Sequence, residues 1–413
     1  MTEAAGGEGP LAGVRVIDCS TVLAGPLCTM LMGDLGADVI KVEPPEGDAT
    51  RRWGPPWVGD EVAGTRTAAY YLAVNRNKRS IRLDLRRSQG GDVLRRLLGD
   101  ADVLVENARV GGFARLGFDD AAVKAINPGL VHLAITAAGT EGPDAAKPGY
   151  DFIAQAIGGL MSITGDADED GGHPMKVGVA ISDVVTGLFA AVGILAALVG
   201  RERAPAEAPK GCRVDVSLLG STLATLVNQA QNAFVTDRPP ARRGNAHPNI
   251  VPYETFATAD GEIAVAVGSE RQWPRFCEAL DLGTLAADPR FATNGDRVSH
   301  RDELRPMLEA RFAEHTKAEW LDRLEAAEVP CGPIRDVVEA FAAPQARAQG
   351  MTQEVEHPVL GLIRQVASPL RFDGHVGAIR RAPPLLGEHT DEILAEAGYS
   401  GDDIVTLRAV NVI

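Results

Sequence analysis

The sequence predicts an α/β protein, with a Rossmann-like large domain joined to a smaller α+β domain. Three observations carry this expectation. Short β-branched runs alternate with helix-length segments through the N-terminal half. A different texture, a hairpin followed by capped amphipathic helices, begins near Asn249. The 413 residues also exceed what one typical core accommodates.

The alternation starts with VRVIDCS at 14–20, a strand, followed by GPLCTMLMGDLGA, a helix with Pro26 in its first turn. DVIKVEPP at 38–45 is the second strand, with Glu43 at the place of a dinucleotide fold's ribose acid. The first turn, however, reads TVLAGP rather than GxGxxG, which argues against NAD bound in the usual way. Residues 50–80 are irregular and basic, ending in NRNKRS at 75–80, either a solvated face or an anion site. IRLDL, SQGGDVLRRLLGDA, DVLVEN and AAVKAINPGLVHLAITAAG continue as strand, helix, strand and helix–strand. In such a sheet the ligand lies beyond the carboxyl ends of the strands, near 22–26, 43–52 and 106–115.

The stretch from Pro148 to Arg201 holds the chemistry. It contains an acidic insert at 166–172, then VAISDVVTG, then an apolar run from Val184 to Gly200. That run falls short of a membrane span and reads as a buried core helix. Asp183 sits at its start, where it either caps the helix or acts as a nucleophile kept ionised by the helix's positive end. A polar turn follows at 201–211, then a strand (CRVDVSLL), a helix (220–235) and a loop at 237–252. The hairpin at 253–268 turns at Asp260–Gly261. Ser269/Gln272 and Thr316/Glu319 are capping boxes. The tail adds short strands and a last helix from Thr390 to Ala397.

A net charge of -15 argues against nucleic-acid and membrane-surface partners. Five scattered cysteines without a CxxC fit a reducing cytoplasm, and the acidic start lacks a signal-peptide pattern. Eight dispersed histidines form no metal motif, and P-loop and GxSxG motifs are missing. Acidic residues are left as the chemistry, with Asp183 and Asp151 leading.

Taken in order, VIDCSTVLAGPLCTMLMGDLGADVIKVEPPEGD, NRNKRSIRLDL, DVLVEN, GYDFIAQAIGGLMSITG, VGVAISDVVTG, GNAHPNIVPYETF, VPCGPI and APPLLGEHT resemble the class III CoA-transferase family. This group includes formyl-CoA transferase and α-methylacyl-CoA racemase, and the likeness runs from Leu11 to about Ala397. It implies a Rossmann-like large domain from residues 1–224 and the returning 336–413, with a small domain at 225–335 between them. It also implies two interlocked chains. The substrates would be an acyl-CoA, here a succinyl or other dicarboxylyl thioester, and a carboxylic acid, with no permanently bound cofactor and no metal. Asp183 matches the family's nucleophile, which passes through an aspartyl anhydride and an aspartyl-CoA thioester.

By motif position Val22, Ala24, Lys78, Arg79, Asn107 and Arg115 would contact CoA. Tyr150, Asp151, Gly244, Asn245 and His247 would support the active site, and Arg52 or Arg76 would meet a substrate carboxylate. Pro44 and Ala108 stand where relatives carry an arginine and an aromatic. GNAHPN replaces a glycine run, which argues against oxalate and formate. The racemase branch has a histidine where this chain has Tyr150, so transfer is favoured over epimerisation.

Overall fold

The computed structural model describes residues 9–205 and 211–413. Residues 1–8 of the expected signal-free start, and 206–210 of the expected turn, lie outside them. The chain divides into two compact units. The first draws on Met1–Leu160, Val177–Ala230 and Pro344–Ile413, the second on Met161–Lys176 and Gln231–Ala343. Residues 161–176, with the acidic insert, thus group with the second unit rather than with the N-terminal stretch that contains them in sequence.

In the first unit, six strands form one parallel sheet: β1 (Arg15–Asp18), β2 (Asp38–Glu43), β3 (Lys78–Arg82), β4 (Val103–Glu106), β5 (Val131–Thr136) and β6 (Cys212–Ser217). Their spatial order is β3-β2-β1-β4-β5-β6. The order reverses between β1 and β4, the switch point at which such sheets bind ligands. Alternate strand residues face opposite layers. Ile17, Ile40 and Leu104 pack with α2 (Ser88–Gly99), while Val16, Val39 and Val105 pack with α1 (Ala24–Asp34) and the long helix α5 (Ile181–Arg203). The intervening short helices are α3 (Asp120–Ile126) and α4 (Asp151–Ile157).

Three elements depart from the sequence reading. The helix expected over 220–235 is broken into α6 (Leu218–Thr225) and a segment at Val227–Thr236, with Val227 at φ 32°. After α10 (Thr390–Glu396) there is one further helix, α11 (Gly401–Ala409), whose Ser400 and Asp403 form a capping box. Ile393, Leu394, Ile404 and Leu407 of these two helices complete the layer over α2. Finally, α5 is not a fully buried core helix. One stripe (Asp183, Thr186, Ala190, Ile194, Leu198) is buried, while Leu188, Phe189, Val192 and Val199 on the other faces are exposed. By length and composition α5 could cross a membrane, and it is the one such helix among the described residues.

The second unit contains the expected hairpin, Tyr253–Thr258 against Gly261–Ala266, with Cys331–Pro333 as a third strand. Its core is aromatic: Phe256 stacks on Phe312 at 4.4 Å, and Phe312 meets Trp320 at 5.1 Å. The Thr316/Glu319 capping box is formed at α9 (Lys317–Ala326), which follows α8 (Arg301–Phe312), but Ser269 does not cap α7 (Gln272–Ala279). The acidic insert is tied down by buried Arg242. Its guanidinium donates to the carbonyls of Ser162, Asp166 and Gly172 and to the Asp168 carboxylate.

Candidate active site

A cavity of about 210 Å³ opens in the first unit at the carboxyl ends of β1, β4 and β5. The turn after β1 supplies Thr21, Val22, Leu23 and Ala24, and Asp183 also lines it. Two helix starts meet here because Gly187 lets α5 approach α1: a Cβ at that position would lie 2.8 Å from the Ala24 carbonyl oxygen. Among the described residues the Leu23 and Ala24 N–H groups donate to no partner, and α1 has no side-chain cap. Asn107, at the end of β4, brackets Thr21 by accepting its N–H at 3.0 Å and donating to its carbonyl at 2.7 Å.

Asp183 lies in the first turn of α5, 8% exposed. It does not cap that helix. Asp151, at the start of α4, accepts the N–H groups of Ser182 at 2.8 Å and Asp183 at 3.3 Å, and is held by the Gln155 side chain at 2.7 Å. The Asp183 carboxyl accepts no hydrogen bond among the described residues. Burial pushes it up to about 7, and the negative charge of Asp151 adds to the shift. The helix end therefore does not hold Asp183 fully ionised at neutral pH as expected, because burial and the Asp151 charge both favour its protonated form.

The basic run at 75–80 is neither a solvated face nor a phosphate site. Lys78 has no exposed surface; it donates to Asp18, Asn75 and the Pro26 carbonyl at 2.9–3.0 Å, and burial pulls it down to about 8. Arg79 is 5% exposed and bonded to Asp38, Glu392 and Glu396, binding β2 and α10 together. Arg76 is paired with Asp34, at 2.6 Å. Residues 76–79 thus run through the protein interior, where Arg76, Lys78 and Arg79 are each paired with buried or half-buried carboxylates. Lys78, Arg79 and Arg76 are not available to CoA or to a substrate carboxylate. Glu43 is likewise occupied, by Arg51 at 2.7 Å and Ser80 at 2.6 Å. Arg52 remains exposed, donating to the Glu46 carbonyl.

Val22, Ala24, Asn107, Tyr150 and Asp183 are brought together in the cleft, with Asp151 directly behind Asp183. Arg115 is exposed at the end of the short turn Gly112–Arg115 and does not line it. Gly244, Asn245 and His247 belong to the second unit, where Asn245 donates to Thr255 and His247 packs on Tyr253 at 5.2 Å. Two cleft cations escaped the sequence reading. Arg109 is exposed with no carboxylate partner among the described residues, and Lys147 pairs only with neighbouring Asp144. The position of Arg109, three residues beyond the end of β4 at the switch point, was the signal for it. Tyr70 was missed too: burial and the charges of Asp183, Asp151 and Asp48 push its phenol up to about 12.

A Rossmann-like sheet whose switch point offers a buried carboxyl, instead of a glycine-rich phosphate loop, suits an acyl-transfer enzyme. The sequence matches the family model of CoA-transferase family III over residues 11–390, and the chain belongs to that family; it is a CoA-transferase. It is 43% identical over 397 residues to succinate–glutarate CoA-transferase of Agrobacterium fabrum, covering 96% of this chain and 98% of that one. It is 40% identical to human succinyl-CoA:glutarate CoA-transferase, covering 94% and 86% of the two chains. Among solved structures, a CaiB/BaiF family protein from Brucella suis superposes with a TM-score of 0.81 at 41% identity, covering 94% and 99%.

Proposed function

We propose that this chain moves CoA from succinyl-CoA, or another dicarboxylyl-CoA, to a second dicarboxylic acid, with Asp183 as the nucleophile. The observation that carries this reading is the unbonded carboxyl of Asp183 inside the cleft. Ionised Asp183 attacks the thioester carbonyl; the C–O bond forms, the π pair moves to oxygen, and collapse expels CoA thiolate, leaving a mixed anhydride. The thiolate re-attacks the aspartyl carbonyl and releases the donor acid. The acceptor carboxylate then runs the two steps in reverse. The Leu23 and Ala24 N–H groups supply the oxyanion with donors. Val22, Ala24 and Asn107 line the path of the CoA arm, with Arg109 and Lys147 for its phosphates and Arg115 further out. Tyr150 and Asp151 support the nucleophile, and the family resemblance alone assigns Gly244, Asn245 and His247 a supporting role. Arg52 remains the candidate partner of the substrate's distal carboxylate.

The names of the relatives, which act on succinate and glutarate, support the dicarboxylate class. Tyr150 in place of a histidine disfavours epimerisation of a 2-methylacyl-CoA, since no second acid–base group of suitable strength is supplied there. The protein is proposed to act as an interlocked homodimer in the cytoplasm. Exposed Leu188, Phe189 and Val192 on α5, and separately Phe234 and Val235 in the segment at 227–236, fit burial by a second copy, and all five cysteines are unpaired.

The test supplies succinyl-CoA and a panel of acids from two to six carbons, following each new thioester by mass. Glutarate and similar diacids should accept CoA; transfer to monocarboxylates only would refute the dicarboxylate assignment. In deuterated buffer, 2-methylacyl-CoA should gain no α-deuterium above the enzyme-free rate.

A further inference from the structure

The turn that forms one wall of the cleft is held from below by buried charge. Val22 has a φ of 73°. For a β-branched residue this left-handed geometry is strained, and it persists only where surrounding groups enforce it. Its N–H points to both oxygens of the Asp48 carboxylate, at 3.3 and 3.4 Å. Asp48 has no exposed surface; Lys41, equally buried, lies 3.0 Å from its Oδ2 and also donates to the Ser20 carbonyl at 2.9 Å. The Asp48 carboxylate also accepts the N–H and hydroxyl of Thr50, while the Asp48 N–H donates to Glu43 and its carbonyl accepts the Arg51 N–H. Neither Asp48 nor Lys41 lines the cleft. A buried ion pair contributes little to stability compared with apolar packing, but it fixes one geometry.

We propose that Asp48 is a positioning residue for CoA transfer: backed by Lys41, it locks Val22 in the left-handed region and so keeps the Leu23 and Ala24 N–H groups facing the carbonyl that Asp183 attacks. Asp48 touches no reacting atom and acts through the turn. Without it Val22 relaxes to φ below zero and the two donors swing off the developing oxyanion, which lowers kcat more than it raises KM. This rests on the reading of Asp183 as nucleophile.

The test removes both buried charges together, so that no unpaired ion is left inside. Lys41→Met/Asp48→Leu lacks an acceptor for the Val22 N–H, whereas Lys41→Met/Asp48→Asn keeps one. The Leu variant should lose at least about tenfold in kcat with KM for acyl-CoA changed less than about threefold, and the Asn variant should lose clearly less. Adding Val22→Gly to the Leu variant should restore activity in part, because glycine adopts the left-handed turn without strain. Equal losses in the Leu and Asn variants, or no relief from Val22→Gly, would overturn the proposal. If the Leu variant does not fold, Lys41→Met/Asp48→Ala, which equally lacks the acceptor, takes its place: it should lose kcat in the same way and regain part of it with Val22→Gly, and no regain would count against Asp48. Trapping the adduct on the wild-type enzyme with borohydride separates the two readings. An adduct away from Asp183 removes the nucleophile assignment, while the variant comparison still scores the turn.

Discussion

At the scale of single residues, the raised Asp183 carboxyl decides two measurable things. As the proposed nucleophile it must be ionised, so kcat/KM should climb with pH through about 7 and level off above it; a profile that falls over this range would exclude Asp183. Stability runs the other way. A carboxyl raised from 3.8 to about 7 on folding helps the fold while protonated, and that help is lost as pH rises through the folded value. Asp183→Asn should therefore be more stable than the wild type at pH 8, by as much as about 4 kcal/mol, with the gap shrinking toward pH 4. Urea titrations at the two pH values would measure it. Lys78 and Arg109 make the complementary pair. Lys78→Ala strands buried Asp18 and should cost about 3–5 kcal/mol of stability. Arg109→Ala should leave stability unchanged while weakening CoA binding in titration calorimetry. Sequence could not separate these two cations: a motif match reports that a lysine is needed, not whether its partner is a phosphate or an interior carboxylate such as Asp18.

At the scale of elements, α4 serves the start of α5. Asp151 accepts two of the N–H groups that α5 leaves without helical partners, and its charge raises Asp183. Asp151→Ala should cost about 0.5–2 kcal/mol through the lost cap. Asp151→Asn keeps an acceptor but drops the charge, and should shift the kcat/KM profile toward acid. No shift would mean that burial alone sets the Asp183 value. The strands and most helices were legible in the sequence because hydrophobic period and capping residues are local signals, as in the parallel run β1–β5 and the Thr316/Glu319 box. The break near Val227 and the helix beyond Gly398 were not. The first lies inside an unbroken helix-forming pattern, and the second follows a glycine that reads equally well as an end. Which acid caps α5 was also hidden, since Asp151 and Ser182 are 31 positions apart.

At the scale of the whole molecule, the exposed apolar faces of α5 and of the segment at 227–236 predict a permanent dimer. Light scattering over a wide dilution range should give the mass of two chains throughout, and a folded monomer on dilution would contradict it. The return of the chain to its first unit was readable only through the family likeness, for nothing local to residues 336–413 says which core they join. That return bears on how the protein is made. The last sheet strand ends at Ser217, yet α10 and α11, which cover one face of the sheet, are synthesised almost 200 residues later. At ordinary ribosomal speed this leaves Ile17, Ile40 and Leu104 without their final cover for about 10–40 s. A nascent chain in that interval presents an unfinished apolar surface, so its yield should depend on chaperone capacity during translation more than on the stability of the finished fold.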